Sequence, residues 1–226
     1  MGSKYQQLTH LKSFYSECKK QNINTVLHAG DLTEGLGRRQ SQIQEMFLHG
    51  KTELVDYIAD NYPKMPNIQT FYIIGNHDTW VNEDGFDLAV ELSYRREDLV
   101  YLGNNNGKIN INNCIFQLWH GSSGTGDPID RLYRVKNKAR RMRESGLPMP
   151  NVFIAGHIHC MEYGMDVIQN MALIQAGCFQ SATPYEKSKM LQPMLGGTIL
   201  CVQMNKNNIK SVSFEPILYD PIENDY

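Results

Sequence analysis

Gly75-Asn76-His77-Asp78 is the stretch that decides the fold, and three further stretches occupy equivalent places along the chain. These are Gly30-Asp31, Trp119-His120-Gly121 and Gly156-His157-Ile158-His159. Each of the four lies at the end of an apolar, strand-like run, at residues 26–29, 70–74, 115–119 and 152–155. A strand that ends in glycine and then Asp, Asn or His directs polar side chains from the sheet edge. Four such ends predict that one Asp, one Asn and four His surround a common point.

This residue set is a plausible ligand set for one or two divalent metals. Imidazole nitrogen suits Zn, Mn, Fe and Ni. Two metals about 3.5–4 Å apart can clamp a phosphate and lower the pKa of a bridging water. The sequence has no G-x-S-x-G element, no P-loop ending in Lys-Ser/Thr and no G-x-G-x-x-G after a strand. A metal-dependent site of oxygen and nitrogen ligands is the chemistry that remains.

Individual residue types within the set suit different roles. Asp31 can share one carboxylate oxygen between two metals, and Asn76 adds coordination without further negative charge. The imidazole of His77, placed beside the metals without binding them, could protonate a leaving group. Asp78 follows at once and is expected to orient that imidazole and to raise its pKa.

Length and composition favour one domain spanning residues 1–226, with 41% apolar residues to form a core. The 22 basic and 24 acidic residues nearly cancel, so net charge favours neither nucleic acid nor membrane. No apolar run of about 18 residues is present, and the first residues have no apolar signal region. The five scattered cysteines have no CxxC pair and indicate reduced thiols. A cytoplasmic protein without a membrane span is expected.

Periodicity along the chain predicts alternating helices and strands over the first two thirds. The helices are expected at residues 5–21, 38–61, 84–98 and 129–145. The strands are expected from residue 25 and at 68–74, 100–102, 108–111, 114–119, 151–155, 167–168, 172–175, 198–204 and 209–214. Because the last third is rich in strands, the pattern favours α/β layers with a second, more antiparallel sheet.

The four motifs, in this order and each after a strand, make the chain similar to the calcineurin-like metallophosphoesterase superfamily. The resemblance covers nearly the whole chain. It implies a four-layer αββα sandwich of two mixed sheets and a two-metal centre. It also implies that a metal-bound hydroxide hydrolyses phosphomonoesters, phosphodiesters or nucleic acid. Carried over by position, Asp31 bridges the metals, and Asn76, His120 and His157 complete one site. His159 belongs to the other metal site, and His77 is the catalytic histidine that binds no metal.

One departure from the family pattern affects the second metal. The family begins with an Asp-x-His motif at the end of a first strand, and no Asp-x-His precedes Asp31. We therefore expect the first strand to be missing and the second site to keep only Asp31 and His159, too few for tight binding. The missing strand should be a central one, so its loss would expose a sheet edge and invite pairing with another chain.

Alternatives remain open at this stage. Asp31, Asn76 and Asp78 could be turn formers, and the histidines could be core residues. The chain could also be a non-catalytic binding or scaffold protein on the same fold. Zinc amidohydrolase chemistry is a weaker option.

Two further features concern the substrate. The segment 129–145 is rich in basic residues, either as a solvated helix face or as a contact for nucleic acid. The substrate pocket is expected to involve the segments 33–42, 122–127 and 183–196.

Overall fold

The computed structural model describes residues 1–83, 85–121 and 131–226. The helices of this part are α1 Leu8–Lys20, α2 Gln40–Glu45, α3 Lys51–Asn61, α4 Leu88–Ser93, α5 Tyr133–Glu144 and α6 Pro184–Ser188. The strands are β1 Thr25–His28, β2 Gln69–Ile74, β3 Leu99–Asn104, β4 Asn106–Ile111, β5 Cys114–Trp119, β6 Val152–Ala155, β7 Glu162–Asp166, β8 Met171–Gln175, β9 Gly196–Asn205 and β10 Asn208–Leu218.

These strands form three sheets. The first is wholly parallel, in the order β1-β2-β3. The second is mixed, in the order β4-β5-β6-β8-β7, and its central pairs β5-β6 and β6-β8 are parallel. The third is the antiparallel hairpin β9-β10. Parallel pairing places the carboxyl ends of β1 and β2, and those of β5 and β6, at one edge of their respective sheets.

Two layers of helices enclose the two larger sheets. Apolar side chains of α1, α3 and α4, among them Phe14 and Leu54, pack on one face of the parallel sheet. Helix α5 packs on the outer face of the mixed sheet, where it contacts Phe153. The inner faces of the two sheets meet through Leu27 of β1 and Ile154 of β6. Because neighbouring strand residues face opposite ways, Phe153 and Ile154 serve different layers. The α/β class and the αββα layering predicted from the sequence are confirmed.

The hairpin β9-β10 belongs to the same layer as β1. Ile199 and Ile217 pack into the apolar cluster under α1, whereas Leu200 and Val202 pack against the mixed sheet. Among the described residues, however, β9 pairs only with β10 and β1 pairs only with β2. The parallel strands and the hairpin therefore form separate sheets, with no ladder between β1 and β9 in the described part of the chain.

Several element predictions from the sequence also differ from the structure. The helix predicted at 38–61 is interrupted, because Met46 bridges to Ser3 and the amide of Phe47 donates to the Gly2 carbonyl. The strand predicted at 167–168 is a turn, with Val167 81% and Ile168 94% exposed. Helix α6 was not predicted. No helix within the described part of the chain is long and apolar enough to cross a membrane.

Candidate metal centre

Four of the predicted ligands lie at the ends of four parallel strands from both sheets. Asp31 follows β1 and Asn76 follows β2 in the first sheet. His120 follows β5 and His157 follows β6 in the second. The cluster therefore spans the interface between the two sheets.

The ligand atoms converge on the Nε2 atom of His120. This atom lies 3.0 Å from Oδ2 of Asp31, 2.9 Å from Oδ1 of Asn76 and 3.2 Å from Nδ1 of His157. The ligand atoms of Asp31, His120 and His157 all lie within 4.8 Å of one another. One carboxylate oxygen, one amide oxygen and two imidazole nitrogens form a set that fits a divalent transition metal.

A backbone bond orients the ring of His120. Its Nδ1 atom donates to the Ala29 carbonyl at 2.8 Å, and the side chain is only 1% exposed. Burial lowers the pKa of His120, but Asp31 outweighs this and raises it, so in the absence of a metal Nε2 faces the Asp31 carboxylate as a donor. Because Nδ1 is held by the Ala29 carbonyl, Nε2 is the nitrogen that loses its proton when a metal binds. Metal-binding histidines are commonly oriented by such a bond from the second ring nitrogen. The ring of His120 is thus prepared for coordination.

The backbone around the cluster takes conformations that non-glycine residues adopt rarely. Asp31 has φ 57° and His157 has φ 79°, both in the left-handed region. At Gly75 there is no room for a side chain, because a Cβ would collide with the Asp31 carboxylate. Outliers of this kind concentrate at functional sites.

The surroundings of the cluster shift the pKa values of both Asp31 and His157 downward. Burial raises the pKa of Asp31, but its contacts with His120 and His77 outweigh this and bring the pKa down to about 2. Burial and the neighbouring His120 lower the pKa of His157 to about 4. The two lone-pair donors Asp31 and His157 are therefore in metal-binding form at neutral pH.

His77 lies beside the cluster and pairs with a residue that sequence reasoning missed. Its Nδ1 atom lies 3.0 Å from Oε1 of Glu34, and its ring stacks on Trp80 with centroids 4.1 Å apart. Burial lowers the pKa of His77, but Glu34 and Asp31 outweigh this and raise it to about 9. His77 is thus an imidazolium at neutral pH. Only the short spacing from Asp31 to Glu34 could have suggested this partner.

Asp78 has a different role from the one predicted. Its buried carboxylate accepts from the backbone amides of Gly75 at 2.9 Å, Thr33 at 2.9 Å and Leu32 at 3.1 Å. Burial and Asp31 raise its pKa to about 6. The prediction that Asp78 orients His77 was wrong, because Glu34 contacts the ring and Asp78 joins the two motif loops. Asp78 still helps to raise the pKa of His77 through its charge.

His159, the remaining predicted ligand, pairs outside the cluster. Its Nδ1 atom lies 2.8 Å from Oε1 of Glu186 in α6. The other oxygen of Glu186 accepts from the amide and hydroxyl of Thr183, both at 2.9 Å. Glu186 is 9% exposed, and His159 lowers its pKa against the opposing effect of burial. Sequence reasoning missed Glu186 because 27 residues separate it from His159.

Two other predictions concern the surroundings of the site. Helix α5 buries Val135, Ala139 and Met142 and directs most of its basic residues outward. Of the segments expected to form the substrate pocket, 33–42 and 183–196 contribute residues to the cavity that contains the cluster. The segment 122–127 lies outside the described residues.

The chain resembles known proteins in sequence and in structure. Over 205 residues, the chain is 23% identical to a DNA polymerase II small subunit of Halobacterium salinarum; the match covers 76% of the chain and 40% of that protein. The chain thus matches about two fifths of the length of this relative.

Among solved structures, one described as a novel archaeal phosphodiesterase superposes with TM-score 0.52 and 15% identity, covering 97% of each chain. A Vps29 from Entamoeba histolytica superposes with TM-score 0.42 and 16% identity, covering 87% of this chain and 99% of that one. The family model described as calcineurin-like phosphoesterase matches residues 3–161, more than half of the chain. The chain therefore belongs to the calcineurin-like phosphoesterase family.

Proposed function

We propose that this chain is a metal-dependent phosphoesterase that hydrolyses a phosphomonoester or a phosphodiester. The observation that carries the proposal is the convergence of Asp31, Asn76, His120 and His157 on one volume. Divalent Mn, Fe, Zn or Ni fits this donor set. We propose further that residues 1–226 act as one domain.

Each residue of the site has a distinct task in this proposal. A divalent ion held by the four ligands would supply Lewis-acid chemistry, lowering the pKa of a water and polarising a phosphoryl oxygen. The imidazolium of His77 donates a proton to the leaving oxygen, and Glu34 keeps that imidazole charged and in place. Asp78 holds the loops of Asp31 and His77 together through its three backbone bonds.

The second metal site is weaker in this proposal. It would retain Asp31 and His159, and the imidazole of His159 is tethered to Glu186. Because His159 lies outside the cluster formed by Asp31, His120 and His157, one ion is expected to bind first at micromolar metal. The second ion would be recruited at higher metal concentration or together with substrate.

Metal titration and hydrolysis test the proposal together. Metal-free protein should bind manganese in calorimetry and then hydrolyse bis-p-nitrophenyl phosphate. The substitutions Asn76→Ala and His120→Asn should each reduce manganese affinity by at least tenfold. The matched control His49→Asn removes an exposed histidine and should leave both measurements unchanged. Equal manganese affinity in all four proteins would refute the metal centre.

A non-catalytic binding protein on the same fold is the second candidate. The position of His159, paired with Glu186 outside the cluster, favours it, because a single ion can support the fold without turning over phosphoesters. Manganese-stimulated hydrolysis, measured with and without an Asp-x-His strand added upstream, separates the two candidates. Activity of the unmodified chain supports the enzyme, whereas manganese binding without hydrolysis in either protein supports the binding protein.

We propose nucleic acid or a nucleotide as the candidate substrate. The outward basic residues of α5 and the name of the Halobacterium relative both support this choice. Replacing Arg140, Arg141 and Arg143 by Glu should lower the affinity for DNA and make that affinity less dependent on salt concentration. The rate of hydrolysis of a small aryl phosphate should stay unchanged. Unchanged DNA affinity would leave α5 as a solvated helix face.

A further inference from the structure

Arg131 lies close to the segment that carries His159, in the wall of the cavity that contains the ligand cluster. Its Nη1 atom lies 3.5 Å from the Met161 carbonyl oxygen and 3.3 Å from the sulfur of Met194. The amide of Met194 donates to the His159 carbonyl at 2.7 Å, and the amide of Met161 donates to the Met194 sulfur at 3.1 Å. The guanidinium of Arg131 is therefore in contact with the two residues that hold the backbone of His159.

The guanidinium of Arg131 has few good hydrogen-bond partners. Its Nε atom is buried and has no partner among the described residues. The two contacts of Nη1 go to a carbonyl at the limit of hydrogen-bond distance and to a thioether, which is a weak acceptor. The nearby carboxylate of Glu162 accepts instead from the backbone amide of Arg131, at 3.1 Å. Because a guanidinium offers five N–H donors, much of its capacity is unused within the described part of the chain.

Another half-buried arginine shows how the chain satisfies such a group elsewhere. Arg95 donates to the carboxylates of Asp56 and Glu91, both at 2.8 Å. Arg131 forms no ion pair of this kind with a carboxylate of the described residues. A shielded charge without a counter-charge is costly, and the cost is removed when an anion binds to it. Arg131 is thus placed to receive an anionic group that enters the cavity.

We propose that Arg131 binds the phosphoryl group of the substrate, on the side of the cluster where His159 lies. The proposal rests on the function proposed above and adds one cationic contact to it. The planar guanidinium can donate two parallel N–H bonds to phosphate oxygens, a geometry that the point charge of a lysine does not reproduce. These bonds would replace the weak contacts with the carbonyl and the thioether. With one ion in the cluster, Arg131 supplies a second positive charge against the charge that develops on the phosphoryl oxygens.

Binding of inorganic phosphate to the full chain tests this role. Equilibrium dialysis with radiolabelled phosphate measures the affinity of the manganese-loaded and of the metal-free protein. Arg131→Ala should lower the phosphate affinity at least tenfold with unchanged manganese affinity, and Arg131→Lys should lower the phosphate affinity less. Millimolar guanidinium should restore part of the phosphate affinity of Arg131→Ala, which a purely structural role would not produce. The matched control Arg95→Ala removes an arginine that carboxylates already pair and should leave the phosphate affinity unchanged.

Phenylglyoxal labelling of the unaltered chain decides if Arg131→Ala fails to fold. Phosphate should slow the labelling of Arg131 and should not slow that of Arg95. Equal phosphate affinity in Arg131→Ala and the unaltered chain would overturn the proposal, as would labelling of Arg131 that phosphate does not slow. Failure of the unaltered chain to bind phosphate in either form would overturn it as well. Absence of manganese binding in the unaltered chain refutes the metal centre alone, because phosphate binding by the metal-free chain that depends on Arg131 still supports the contact.

Discussion

Replacing Glu34 by Gln separates the charge of this residue from its shape. Glu34 places Oε1 3.0 Å from Nδ1 of His77, and its other oxygen accepts from Gln180 at 2.7 Å. The amide of Gln has nearly the same size and can keep the bond to Gln180. The substitution therefore removes mainly the attraction between the carboxylate and the imidazolium.

The magnitude follows from the pKa of His77. Its rise from 6.5 to about 9 corresponds to about 3 kcal/mol of stability. The pair is mostly buried, with side-chain exposures of 23% and 15%, so solvent screening reduces this figure little. Because the folded pKa lies above the unfolded value, the stabilisation is fully present below pH 6.5 and is lost as the pH rises through about 9.

Urea unfolding of the metal-free protein measures this effect. At pH 6 the free energy of unfolding of Glu34→Gln should be lower than that of the unaltered chain by up to about 3 kcal/mol, because Asp31 and Asp78 still favour the charged His77 in the variant. At pH 10 the difference should shrink to below about 1 kcal/mol. NMR titration should show the pKa of His77 fall below about 9 in the variant, because only Asp31 and Asp78 then oppose the effect of burial.

The control is Glu97→Gln, which removes an exposed carboxylate and should change unfolding by less than about 0.5 kcal/mol at either pH. An equal loss of stability for Glu34→Gln at pH 6 and pH 10 would refute the reasoning. It would mean that packing or the Gln180 contact, and not the charge pair with His77, provides the stabilisation.

Three further substitutions test other parts of the structure. Gly75→Ala should lower the melting temperature by about 3–10 °C and weaken manganese binding, because the new Cβ displaces the Asp31 carboxylate. Leu54→Ala should cost about 2–5 kcal/mol in urea unfolding because Leu54 is 0% exposed, whereas Val90→Ala, at 46% exposure, should cost under about 0.5 kcal/mol. Glu186→Gln should raise the manganese concentration needed for the second ion by about 10–100-fold in calorimetry, because His159 loses its charged partner.

Each of these has an outcome that contradicts it. Unchanged manganese affinity in Gly75→Ala would show that the loop relaxes around the added methyl group. Similar costs for the buried leucine and the exposed valine would argue against the packing of α3 on the parallel sheet. Unchanged binding of the second ion in Glu186→Gln would show that Glu186 does not help His159 to bind the metal.

The sequence predicts the site well where ligands adjoin strands. Asp31, Asn76, His120 and His157 each follow an apolar run directly, so local pattern and parallel pairing suffice to bring them together. Partners that depend on tertiary structure are not predictable in this way. Glu186 reaches its histidine only because α6 folds back across the site.

The same distinction explains the errors in secondary structure. The apolar pair Val167 and Ile168 suggested a strand, but the β7–β8 hairpin turns there and leaves both side chains exposed. The helical periodicity of 38–61 holds in α3, which buries Leu54, Val55 and Ile58, whereas α2 buries none of its residues. Between the two helices, long-range contacts of Met46 and Phe47 with the first residues break the pattern. Local propensity decides an element only where tertiary contacts agree with it.

The ligand cluster takes two side chains from each sheet, and this has a mechanical consequence. An ion bound there would tie the parallel sheet to the mixed sheet across their shared apolar interior. Sliding of one sheet against the other would pull the ligands apart. The affinity for the ion and the rigidity of the packing between the two sheets are therefore coupled, and a change that lowers one should lower the other. Loosening the interior at Leu27 or Ile154, with no ligand altered, should therefore release the ion more readily.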